Sequence, residues 1–152
     1  MLKKYKKFIF EKNEPSVYLR DDEMIHPCVG AIIIRNDEIL MIERQKFPFG
    51  WACVAGHIDE GEEPVISLIR EVKEESGLDV ISHELLFEEE INNPCRRGVN
   101  YHYWYVYKCD VTGDFIENKD EVKNIKWENI DNLKKLNLEP VWKYIFEKLD
   151  MI

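Results

Sequence analysis

The sequence predicts a single α+β domain, on three observations. Most of the patterned segments read as strands, one strongly amphipathic helix lies in the middle, and a second helix closes the chain. The 152 residues carry no internal repeat, low-complexity tract or linker. A chain of this size buries about two-thirds of its unfolded surface without disulfide or metal staples.

In order along the chain, residues 5–11 and 16–20 read as a leading β-hairpin around Lys12-Asn13-Glu14-Pro15, so that residues 1–24 form an N-terminal β extension. Cys28–Arg35 and Glu38–Arg44 flank Asn36-Asp37, a second hairpin signal. A loop then leads to a helix of about 13 residues between Pro64 and Gly77. Proline is tolerated at the first helical position, where its missing N–H would be unpaired anyway, and glycine closes a helix cheaply in the left-handed conformation. Val65, Leu68, Ile69 and Val72 recur at helical spacing and predict its apolar face. Val80–Glu89, Val99–Asp110 and Val122–Trp127 read as further strands. Pro140 opens the closing helix, with Trp142, Ile145, Phe146 and Leu149 on one face.

Thirty acidic against twenty-one basic residues give a net charge of −9, which argues against duplex nucleic acid as a partner. Four cysteines at 28, 53, 95 and 109 show no paired C-x-x-C spacing, so neither a disulfide framework nor a zinc site is indicated. Cys28, Cys53 and Cys109 sit in apolar stretches and read as reduced core residues. Lys3, Lys4, Lys6 and Lys7 precede only a short apolar FIF, too little for a signal peptide. The longest apolar run, residues 28–34, is too short to span a bilayer. The expectation is a cytoplasmic protein, away from membranes, as a monomer or homodimer.

The chemistry is concentrated in the stretch GHIDEGEEPVISLIREVKEESGL, Gly56 to Leu78. Glu71, Glu74 and Glu75 stand at i, i+3 and i+4 and gather on one helix face. Like charges at that spacing repel by a few tenths of a kcal/mol per pair, so three together point to a divalent cation. An all-oxygen set suits Mg²⁺ or Mn²⁺, which bridge to phosphate oxygens. Arg70 is placed to orient a carboxylate through a bidentate pair. Gly56 and Gly61 let the preceding loop fold back, bringing a carbonyl near Ala55 towards the cluster.

These residues fit G-x5-E-x7-R-E-U-x-E-E-x-G-U, with U a bulky aliphatic and no fixed position missing. Chance would produce the match on the order of once in a million such chains. The chain therefore resembles the Nudix hydrolases, in the MutT-like manner. The resemblance implies a mixed central sheet sandwiched between helices, an α/β/α form of the α+β class. It further implies a Mg²⁺-dependent hydrolase of a pyrophosphate bond in a nucleoside diphosphate linked to another group. Glu74 and Glu75 are then the principal metal ligands, Glu71 a further ligand or the general base, Glu62 an outer or additional carboxylate, and the Ala55 carbonyl a backbone ligand. A late acidic residue often joins such sites; Glu121 is the choice here, with Glu117 and Asp120 competing. Where many members carry Leu-Pro-Gly-Gly, this chain has Cys53-Val54-Ala55-Gly56.

Substrate is expected to be set outside this motif. Tyr101, Tyr103, Tyr105 and Tyr107 share one face of a strand, and Tyr103 and Tyr105 are candidates for stacking a base. His102, on the other face, reads as a packed or hydrogen-bonded histidine rather than a catalyst. Arg96 and Arg97 before Gly98, and Arg44 and Lys46, are candidates for gripping phosphate. Pro94 falls sixteen residues beyond Leu78, where ADP-ribose-cleaving members tend to carry a proline, while MutT-like nucleoside triphosphate hydrolases are close to this length. Two rival readings belong to other classes. One is a nucleotide-sensing module without catalysis. The other is an isoprenoid-diphosphate isomerase, for which Cys53 would be a candidate; the intact hydrolytic motif argues against both.

Overall fold

The computed structural model describes residues 6–8, 17–117, 120 and 122–152. Among them a long central strand, β3 (Glu23–Arg35), organises the molecule. β8 (Tyr101–Thr112) runs parallel to β3 along one edge, from Ile25/Tyr101 to Ile33/Cys109. The other edge of β3 is taken first by β2 (Val17–Arg20), to which β1 (Lys6–Phe8) adds, and then by β6 (Val54–His57). At its far end β3 turns into β4 (Glu38–Arg44), which pairs with β9 (Val122–Asn129) and the short β5 (Trp51–Ala52). β7 (Asp79–Asn92) covers the outer edge of β8 antiparallel. The sheet is therefore mixed.

Local chemistry explains the connections. Asn36 and Asp37 both take positive φ, 52° and 64°, as a two-residue hairpin of matching twist requires. Helix α1 (Pro64–Ser76) begins at its proline and ends at Gly77, φ 77°, whose N–H bonds the Lys73 carbonyl. Its buried stripe differs from the expected one. Leu68 and Val72 are buried together with Ser67, Glu75 and Ser76, whereas Ile69 is exposed. The Ser76 hydroxyl donates to the Val72 carbonyl, which lets a polar residue lie inside. Helix α2 (Pro140–Lys148) buries Val141, Trp142, Ile145 and Phe146. A 3-10 turn, Ile130–Lys135, precedes it and was not foreseen.

The two helices cover opposite faces. A Cβ on Gly30 would lie 2.7 Å from Trp142 of α2, whereas one on Gly56 would meet Glu71 of α1. Gly30 pairs with Ala55, one residue from Gly56, so the two directions alternate across the sheet. Between the layers lies one core, including Ile32, Ile33, Ile39, Leu40, Met41 and the free thiols Cys28, Cys53 and Cys109. Among the described residues no helix is long and apolar enough to cross a membrane.

Candidate active site

The loop ahead of α1 and the helix itself are tied together by Arg70. Its Nε donates to Glu62 Oε2 at 3.0 Å and its Nη2 to Glu62 Oε1 at 2.9 Å, a two-pronged grip. Nη1 donates to Glu71 Oε1 at 2.7 Å and Glu74 Oε2 at 3.3 Å. Nη2 also reaches the His57 carbonyl at 3.1 Å. Glu62 Oε1 accepts in addition from the Asp59 N–H and the Ser67 hydroxyl, each at 2.9 Å. Held by Arg70 first of all, the Glu62 carboxyl is lowered to about 2, and it is ionised at every working pH. Glu62 is so fully engaged that its placement is that of a clamp on the loop.

Glu71 lies against the sheet. A Cβ built on Gly56 would fall inside the Glu71 carboxylate, so only glycine leaves room for it. Burial pushes the Glu71 carboxyl up to about 7, against the opposing pull of Arg70. One turn on, Glu74 is exposed and Glu75 buried, both on the side of Glu71. This donor set fits a hard divalent cation. It is all oxygen, it carries more negative charge than Arg70 neutralises, and the cradle at Gly56 holds one carboxylate close to the backbone. Ala55, expected in a loop, is in strand β6 opposite Gly30 and has no positive φ. An alanine is therefore accommodated there without strain.

On the other side of β6 a cleft of about 180 Å³ is lined by Arg44, His57, Cys95, Arg96, Arg97, His102, Trp104 and Glu139, with Ala55 and Gly56 among its walls. It adjoins a more apolar cavity of about 540 Å³ bounded by Phe47, Phe49, Ile91, Asn93, Pro94 and Tyr144. Arg44, Arg96 and Arg97 thus meet at one opening, while Lys46 is exposed and is not among the residues lining it. The positive charge of Arg97 acts on His26, His57 and Asp59, so it stands within electrostatic reach of both the cleft and the α1 loop. Tyr103 and Tyr105 lie elsewhere. They occupy the alternate face of β8 from His102 and Trp104, and the Tyr103 hydroxyl donates to Glu88 at 3.1 Å. Glu121 falls outside the described residues; its competitors Glu117 and Asp120 are exposed.

Sequence reasoning passed over Glu139, His26 and His57. Glu139 precedes α2 but makes no side-chain cap bond; its carboxylate turns inward, 3.7 Å from Arg44 Nε. Burial drives it up to about 7, with Arg44 working the other way. Burial likewise lowers His26 and His102 to about 4, and His57 also falls well below the usual range. All three imidazoles are neutral at pH 7. The signal that would have found them is register: it takes the pairing of β3 with both β6 and β8 to bring residues so far apart together.

Comparison with known proteins places this geometry. The NUDIX domain family matches residues 24–149. An ADP-ribose pyrophosphatase of Methanocaldococcus jannaschii is 30% identical over 138 residues, 88% of this chain and 79% of that one. An NAD-capped RNA hydrolase NudC of Pseudomonas aeruginosa is 26% identical over 123 residues, 80% of this chain. The match takes in 42% of that relative, so the chain corresponds to under half of its length. Among solved structures, a MutT protein of Bacillus halodurans superposes with a TM-score of 0.68 at 20% identity, covering 80% of each chain. The NUDIX domain of Shewanella oneidensis NrtR, solved with ADP ribose, gives 0.69 at 19% identity, covering 82% of this chain and 86% of that one. With the mixed sheet, the opposed helices and the carboxylate helix in place, this chain belongs to the Nudix family.

Proposed function

We propose that the protein hydrolyses a pyrophosphate bond in a nucleoside diphosphate linked to another group, with Mg²⁺ or Mn²⁺ as its cation. The observation that carries this reading is the Arg70 hub, which locks Glu62 and holds Glu71 and Glu74 beside the Gly56 cradle. Glu71, Glu74, Glu75 and the Ala55 carbonyl would hold the ion. When bound, it supplies charge neutralisation on the phosphates and acidifies the attacking water.

The chain's own residues do the rest. Arg70 keeps the carboxylates at fixed angles, so that little reorganisation is needed on binding. Arg44, Arg96 and Arg97 offer cationic forks to phosphate oxygens at the cleft. Glu71 or Glu121 takes the proton of the attacking water. The Phe47, Phe49 and Tyr144 walls give an apolar seat for a base or a second moiety. Pro94 on the wall of both cavities, and the named activity of the archaeal relative, favour an ADP-ribose-like substrate over a nucleoside triphosphate.

The test is incubation with Mg²⁺ and a panel of ADP-ribose, other nucleotide sugars, nucleoside triphosphates and diadenosine polyphosphates, with Glu74→Gln as control. Release of a nucleoside monophosphate or phosphate, lost in the control, is the expected result. Tight nucleotide binding by wild type with no product under any divalent cation would overturn hydrolysis in favour of a sensing module.

A further inference from the structure

Three imidazoles and a thiol converge from four separate parts of the chain: His57, Cys95 and His102 line the cleft, and His26 lies against them. Parallel pairing sets His26 of β3 directly beside His102 of β8. Antiparallel pairing sets His57 of β6 opposite Cys28, which shares a face of β3 with His26. Cys95 enters from the connection between β7 and β8, where its N–H bonds the Val99 carbonyl and its carbonyl accepts from the Gly98 N–H. His57 Nε2 lies 3.2 Å from His26 Nδ1 and 3.3 Å from His102 Nε2, and Cys95 Sγ is 4.0 Å from His26 Nδ1. One donor atom from each of the four lies within 4.8 Å of the other three.

We propose that His26, His57, Cys95 and His102 form a second metal site, for Zn²⁺ or a similar borderline transition ion, separate from the carboxylate cluster of α1. Three of the six donor–donor spacings approach the edges of a coordination tetrahedron. Zinc–nitrogen bonds of about 2.05 Å and a zinc–sulfur bond of about 2.3 Å give edges of about 3.3 Å between nitrogens and about 3.6 Å between nitrogen and sulfur. The two nitrogen edges at His57 already match, the Cys95–His26 edge has to close by a few tenths of an ångström, and the remaining edges start within 4.8 Å. The donor chemistry excludes Mg²⁺, since the set holds no oxygen ligand and one thiol. Hydrogen bonding alone serves the cluster poorly. His57 Nε2 faces two other ring nitrogens at once, yet a neutral ring nitrogen offers either one proton or one lone pair. A cation among the four takes one lone pair from each donor and removes the conflict.

The consequence is mechanical. Four protein ligands leave no open position, which marks a structural centre rather than a reactive one. Cys95 is followed directly by Arg96 and Arg97, so the ion fastens the arginine loop to the sheet at the mouth of the cleft. Binding forms three Zn–N bonds and one Zn–S bond and releases the thiol proton to solvent.

The experiment uses tag-free full-length protein, stripped with chelator and titrated with Zn²⁺ or Co²⁺ alone. One equivalent bound per chain is expected, with tetrahedral Co²⁺ bands in the visible and a thiolate-to-cobalt charge-transfer band. Zn²⁺ should also slow amide exchange in residues 93–99. Cys95→Ser should lose the charge-transfer band and at least tenfold in affinity, His102→Gln should lose at least tenfold in affinity, and Glu74→Gln should change neither. Circular dichroism of each variant separates loss of the site from loss of the fold. The proposal is overturned if folded wild type takes up no Zn²⁺, or if uptake survives in Cys95→Ser and His102→Gln but vanishes in Glu74→Gln. Neither result bears on hydrolysis, which is read separately with Mg²⁺.

Discussion

Arg70 grips Glu62 through two parallel hydrogen bonds, Nε to Oε2 at 3.0 Å and Nη2 to Oε1 at 2.9 Å, across eight residues of chain. The loop between them is thereby closed on the first turns of α1, and the remaining nitrogen of the fork is free to hold Glu71 and Glu74. Lysine cannot reproduce this, since it presents a point charge instead of a planar fork. Arg70→Lys should lower stability by about 1.5–3 kcal/mol, the range for hydrogen bonds to charged groups. Turnover should fall about 100-fold as the carboxylates lose their alignment. Chemical denaturation and steady-state kinetics read the two effects separately, and a kcat within twofold of wild type would sink the hub as an aligning device.

Gly56→Ala tests the cradle. The added methyl would occupy the space of the Glu71 carboxylate, so that side chain or strand β6 must move. Glu71 is the softer partner, being a side chain, and the fold should survive with a cost of about 1–3 kcal/mol. Displacing it should weaken Mg²⁺ activation and cut turnover by roughly 100-fold or more. An alanine variant with wild-type Mg²⁺ dependence would show that Glu71 does not work from this position.

Glu71→Gln and Glu121→Gln divide the role of base. Burial already holds Glu71 near the point of protonation, so an amide there should cost little stability. Its oxygen can still accept from Arg70. Loss of turnover by roughly 10²–10⁴-fold in one variant alone, with thermal unfolding unchanged, assigns the proton acceptor. Near-normal turnover in the Glu71 variant moves the assignment to the later carboxylate.

Much of the fold was legible because its signals are local. Pro64 and Gly77 bound α1, and Asn36-Asp37 made a hairpin between strands ending at Arg35 and starting at Glu38. The crowding of Glu62, Arg70, Glu71 and Glu74 was likewise visible, since one helix and its loop carry all four. Ile69 misled because periodicity weighs apolarity alone, whereas Ser67, Glu75 and Ser76 take the buried positions, the two serines through hydrogen bonds to Glu62 and to the Val72 carbonyl. Residues 54–57 read as loop because so short a strand shows no alternation; its pairing to β3 is what defines it. The His26–His57–His102 group depends on register between three strands, which no spacing in the sequence expresses.

Glu139 supplies a pH dependence with a definite sign. Its carboxyl titrates near 7 in the folded protein, against an ordinary value of 4.5, because burial disfavours the charge more than Arg44 at 3.7 Å restores it. A carboxyl raised on folding binds its proton more tightly in the native state. Its contribution is therefore fully favourable below pH 4.5, is lost as pH rises from 4.5 to 7, and levels above that. The shift corresponds to at most about 3 kcal/mol. The positive end of α2 and a closer Arg44 both reduce it. Glu139→Gln cannot ionise, so the stability difference between variant and wild type should be near zero at pH 4 and grow to about 1–3 kcal/mol in favour of the variant at pH 8. Taking the difference cancels the opposite slope from the histidines, which charge on unfolding as pH falls below 6.5. Urea denaturation of both proteins across that range measures it. A variant less stable than wild type at pH 8 would mean that Glu139 and Arg44 form a strong ion pair in solution, and that Arg44 is committed to it rather than to a phosphate.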